Sequence, residues 1–128
     1  MTTALFFLVW GLATALVLPL LLPLHARGVP GVQAFTAANA LAVLSLLAYA
    51  SSEIMPPAAY VMVSNGAWLA AMSLVYVGVR QFFGLRPQAR RVTMAAICAV
   101  GAMALMLYHR DDLVARMTLF SIYTCVLM

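Results

Sequence analysis

The stretch AAYVMVSNGAWLAAMSLVYVGVRQFFGLRP, Ala58 to Pro87, decides what kind of fold this chain can have. It follows a Pro-Pro turn and stays apolar as far as Val79, past the roughly 20 residues a helix needs to cross a bilayer. One amide, Asn65, interrupts the run, and its exit at Gly78, Arg80, Phe82 and Phe83 is amphipathic. On this reading the helix is central, and the other apolar segments are expected to pack around it.

Composition makes lipid the solvent. Hydrophobic residues are 66% of the chain, charged residues 8%, and the mean hydropathy is +1.06. Soluble domains carry about 45–50% apolar and about 25% charged residues. A globule of 128 residues could not hide so much apolar surface from water. The net charge of +4 rests on arginine alone, and the arginines gather at the ends of apolar runs. That placement fits topology and lipid head groups, so the bilayer is the expected partner and nucleic acid is not.

The remaining runs divide the chain into an all-α, polytopic transmembrane bundle of about five helices, at 3–24, 32–52, 58–79, 92–108 and 113–128. The first run competes with a signal peptide. It lacks a basic leader, and its apolar core is too long for one, so a retained helix is favoured. Pro19 and Pro23 each remove a backbone donor and should bend its second half. Gly28, Pro30 and Gly31 supply a tight turn. The second run is rich in small residues (Ala34, Ala37, Ala38, Ala42, Ser45), as suits a helix inside a bundle. Pro57 suits the first turn of the third helix. Asp111 or Asp112 is placed to cap the fifth, and Asp112 can pair with Arg116 at i,i+4. That last run is still apolar at Met128 and too short to span, so the sequence reads as an incomplete N-terminal fragment.

Arginine counting sets an expected orientation. Arg27, Arg80, Arg86, Arg90 and Arg91 fall on one side, and Arg110 and Arg116 on the other with Glu53, Asp111 and Asp112. Five against two puts the first and third loops in the cytoplasm and the N-terminus outside.

Few residues invite chemistry. Asn65 must find a partner at membrane depth, and Asn39, Ser45 or a backbone carbonyl are the expected sources. An interhelical clamp is the plainer role; contact with a ligand is the sharper one. Gly66, Ala70, Ser73 and Val77 form a small-residue stripe that reads as close packing. No Asp, Glu, Lys, Arg or His lies in the middle of an apolar run, which disfavours an ion-driven carrier. His109, Asp111 and Asp112 could in principle hold a cation but fit the work of a loop and cap. Cys98 and Cys125 read as small apolar packing residues. No catalytic, cofactor-binding or metal-binding set is expected in these residues.

SNGAWLAAMSLVYVGVRQFFGLRP and the later YHRDDLVARMTLFSIYTCVLM give the chain a resemblance to the N-terminal membrane region of bacterial diguanylate cyclases of the GGDEF type. Asn65, then Gly78, Arg80, Phe82 or Phe83, and Gly84 match the third-helix pattern. Asp112, Arg116 and Ser121 match the loop and helix that follow. The resemblance implies an inner-membrane sensory or anchoring region and further helices beyond Met128. It also implies a cytoplasmic domain, absent here, that makes cyclic di-GMP from GTP and through which the protein would dimerise. Two other classes compete: part of a small-solute transporter or channel, and a stand-alone membrane packing subunit.

Overall fold

The computed structural model describes residues 3–109 and 113–127. It is an all-α bundle with no strand among the described residues. In order come α1 (Thr3–Ala15), α2 (Val17–Ala26), α3 (Val32–Ala50), α4 (Pro57–Phe82), α5 (Ala89–His109) and α6 (Leu113–Leu127), with a single 3-10 turn at Ser51–Glu53. Among the described residues four segments are long and apolar enough to cross a membrane: Thr3–Ala26, Val32–Glu53, Pro57–Phe82 and Ala89–His109.

Side-chain size is distributed as lipid solvation demands. Large residues such as Leu12, Leu20, Ile97, Leu105 and Val126 are exposed, whereas Ala34, Ala38, Ala48, Ala67 and Ala71 are buried. In water that outer surface would drive aggregation. In a bilayer leucine loses nothing by facing acyl chains, and small residues inside let helix backbones approach.

The centre is a pair of helices rather than one. The antiparallel α3–α4 hairpin makes the most extensive contact in the bundle. α1 and α2 pack on α3, not on α4, while α5 and α6 pack on α4. The expectation that all runs surround α4 is corrected on this point. Among the described residues the α1 and α6 backbones do not come close to each other.

Local chemistry explains most helix limits. The first span breaks at Leu16. Pro19 has no N–H for the Ala15 carbonyl and its ring crowds that carbonyl, so the disturbance falls a turn upstream of the proline. Pro57 occupies N1 of α4 as expected. α4 runs to Phe82, which places Arg80 inside its last turn rather than in a tail. α5 begins at Ala89, so Arg90 and Arg91 lie on its first turn and not in the preceding loop. The expected Asp111 or Asp112 cap, the Asp112–Arg116 pair and the His109–Asp111–Asp112 cluster involve residues outside those described.

α2 and α4 stop in the same way. At Gly84 (φ +69°) the Gly84 N–H donates to the Gln81 carbonyl at 3.0 Å and the Leu85 N–H to the Arg80 carbonyl at 2.8 Å. At Gly28 (φ +67°) the Gly28 N–H donates to the His25 carbonyl at 3.0 Å and the Val29 N–H to the Leu24 carbonyl at 3.4 Å. This paired pattern closes a helix C-terminus with a left-handed residue. Gly31 (φ +84°) does something further: it presses the start of α3 against the end of α4, with the Gly78 carbonyl against the place a Cβ would fill.

Candidate functional site

The polar residues that the apolar pattern singled out do not form one cluster. Asn65 is 3% exposed and lies on the hairpin face of α4. Its carbonyl oxygen accepts a hydrogen bond from the Tyr49 hydroxyl of α3 at 2.7 Å. The expected partners Asn39, Ser45 and a backbone carbonyl are therefore replaced by a phenol. Tyr49 is itself held in place: its ring stacks on Phe7 of α1 at 5.0 Å between centroids and meets Tyr60 edge-on at 6.4 Å. The Asn65 Nδ2 amide nitrogen is buried without a hydrogen-bond partner among the described residues.

Asn65 forms part of the wall of a cavity of about 300 Å3 at the α4 start of the bundle. Phe7 and Trp10 come from α1, Ser45 and Tyr49 from α3, Trp68 from α4, and Arg116 and Phe120 from α6. Side chains of α1 and α6 wall it in, while the two backbones keep apart. Five of these side chains are aromatic, and Ser45 is 1% exposed. Such a wall, mainly apolar with a few fixed polar groups, has the make-up of a small-molecule site.

Ser73 belongs elsewhere. Its hydroxyl donates to the Leu69 carbonyl at 2.7 Å and shares a short hydrogen bond with the Tyr123 hydroxyl of α6. With its proton given to Leu69, Ser73 is the acceptor and Tyr123 the donor. Around this pair lies a packed cluster of Leu69, Ala99, Met103 and Tyr123 that joins α4, α5 and α6. A double-mutant cycle of Ser73→Ala and Tyr123→Phe is expected to give a coupling of about 0.6–1.7 kcal/mol in detergent unfolding. Strictly additive effects would show that this bond does not tie α6 to α4. Asn39 joins neither group, and its side-chain oxygen is buried without a hydrogen bond among the described residues.

The small-residue stripe is corrected too. A Cβ on Gly66 would meet nothing, so that position is not a close approach. Ala70, Ser73 and Val77 instead border a shallow groove against α5 with Val92 and Ala96. The close backbone approach is at Gly78, where a Cβ would lie 3.1 Å from the Gly31 carbonyl oxygen and 3.3 Å from the Phe35 ring. Cys98 and Cys125 are free and exposed on the outer helix faces rather than packed in the interior.

At the other end of α4 the basic residues converge. Arg80 donates from Nε to the Arg86 carbonyl at 3.0 Å and from its guanidinium to the Tyr76 hydroxyl at 3.2 Å, with its charge 5.6 Å from the Tyr76 ring centroid. Arg86, Arg90 and Arg91 surround the same exit. The Gly31–Gly78 contact brings the Arg27 turn to this end as well. Phe82 and Phe83 are exposed and meet edge-to-face at 5.6 Å. The turn residues Gly28, Pro30 and Gly31 face Gly84 and Arg86 across an open cleft.

Among the described residues no group of three or more His, Cys, Asp or Glu could hold a metal. Protein-family models, curated proteins and solved structures all return no match to the chain. Sequence reading missed Tyr49, Trp68, Phe120 and Tyr123. Tyr49 had a signal: it sits sixteen residues before Asn65, astride the turn of a helical hairpin, at the same depth.

Proposed function

We propose that this chain is the membrane sensory or anchoring region of a bacterial signalling protein, with a cytoplasmic diguanylate cyclase as its output. One observation carries the sensory half: the aromatic cavity and the arginine-bearing exit lie at opposite ends of a single helix, α4. Asn65 and Arg80 are fifteen residues apart on it, roughly 22 Å along the axis. Occupation of the cavity would alter packing at Asn65 and Tyr49, and a rigid helix carries such a change to the far end. This requires a bundle with two discrete arrangements. The cyclase half rests on the resemblance of 64–87 and 108–128 to GGDEF-type proteins.

The orientation belongs to the same proposal. Arg27, Arg80, Arg86, Arg90 and Arg91 would face the cytoplasm, leaving the cavity in the outer half of the inner membrane. Reading the gene past the Met128 codon tests the output directly. An in-frame GGDEF-type segment is expected; an immediate stop codon sinks the proposal and favours a packing subunit.

A further inference from the structure

We propose that the cavity between α1 and α6 is a binding site for a membrane-soluble aromatic carbonyl compound of one or two rings, the chemistry of a quinone head group. The inference deepens the sensory reading by naming the ligand class of the same cavity, and it rests on that reading only for its consequence in signalling. Four observations carry it.

The volume comes first. An apolar cavity of about 150 Å3 already accepts benzene, so about 300 Å3 takes one substituted ring or two fused rings. The second observation is the wall: the faces and edges of Trp10, Tyr49, Trp68 and Phe120 suit a flat π-system, for which offset or edge-on contacts are favourable.

Third is the amide. The Tyr49 hydroxyl occupies the Asn65 carbonyl oxygen, which leaves Nδ2 as a buried donor with no acceptor. Leaving such a group unsatisfied away from water is costly. A ligand carbonyl oxygen removes that cost, and a plain hydrocarbon cannot. Last is the opening: the α1 and α6 backbones keep apart, and Trp10 in the cavity wall is 53% exposed. Access is therefore sideways, from the lipid phase.

The site carries its own reporter, since the chain has two tryptophans and both, Trp10 and Trp68, are in the wall. 1,4-Naphthoquinone titrated into the protein in lipid nanodiscs should quench their fluorescence saturably. Displacement by 1-tetralone, two rings with one carbonyl, should be at least fivefold more effective than displacement by naphthalene. Asn65→Leu keeps the volume and removes the amide donor; made in a Tyr49→Phe background, where no freed hydroxyl can take the donor's place, it should raise the Kd for naphthoquinone about five- to tenfold over Tyr49→Phe alone, the worth of one hydrogen bond.

A naphthoquinone bearing a prenyl tail that binds as well as the bare ring assigns the ligand to the bilayer. Binding of the bare ring alone assigns the same chemistry to a water-borne source. Quenching without saturation, equal competition by naphthalene, or an unchanged Kd when Asn65→Leu is added to a folded Tyr49→Phe protein would overturn the site. If that variant does not fold, the tetralone and naphthalene comparison on the unaltered protein decides. Failure here leaves a downstream cyclase untouched, whereas a stop codon after Met128 removes the cyclase and leaves the binding result standing.

Discussion

Gly31→Ala is expected to be the most damaging single-methyl substitution in the chain. Gly31 has φ +84°, a backbone conformation that costs a residue with a Cβ about 1–3 kcal/mol. Its Cβ would also be driven into the Gly78 carbonyl and to 3.2 Å from the Phe82 amide nitrogen. Backbone cannot swing aside as a side chain can, so the α3 start and the α4 end must separate. A core forced to take extra atoms typically loses about 1–3 kcal/mol. The two effects together predict a loss of about 3 kcal/mol or more in detergent unfolding.

Gly28→Ala is the matched control. Gly28 has φ +67° but nothing within 4 Å of an added Cβ, so only the backbone cost of about 1–2 kcal/mol applies. Equal unfolding midpoints for the two variants would mean that the Gly31–Gly78 approach is not what joins the basic turn to the basic helix end.

The second large effect is all-or-none and concerns topology. With Cys98 and Cys125 replaced by alanine, Ile54→Cys is expected to react with a membrane-impermeant maleimide in intact cells. Leu85→Cys is expected to react only after the membrane is permeabilised. Ile54 is 90% exposed and Leu85 51%, so neither readout is limited by burial. The reason for the asymmetry is the arginine bias. Neutralising Arg86, Arg90 and Arg91 together removes that bias and should give a mixed population, with both sites labelled. The reverse pattern in the parent protein would put the α4 exit outside the cell, and an inward-facing output could not be kept.

The helical bundle was legible because the membrane asks one thing of a sequence: enough apolar residues in a row, with breakers between. Pro57, Pro87, Gly28 and Gly84 mark limits that need no tertiary partner, since each acts through its own backbone. Helix ends shifted by a turn at Arg80 and Arg90 because those side chains are polar while their backbones remain helical. Polarity sets where a span leaves lipid, not where its hydrogen bonds stop.

Of the site, the sequence pointed to Asn65 and offered Ser45 as its partner, and Ser45 lines the same cavity without bonding to it. Asn65 stands out because an amide in an apolar run must be satisfied. Its bonded partner, Tyr49, did not, because phenylalanine, tyrosine and tryptophan read alike as apolar filler until the fold says which of them meet. What the sequence determined alone is the solvent, the helices and the gathering of arginine at their ends, all consequences of burial cost along a single chain. Tertiary structure decided the rest: that α3 and α4 form the centre, that Tyr49 takes the Asn65 carbonyl, and that side chains of α1 and α6 wall a cavity. Those facts depend on which helix faces touch, and in lipid the apolar pattern does not choose among faces. Small residues and shape do, and they act only once the helices are side by side.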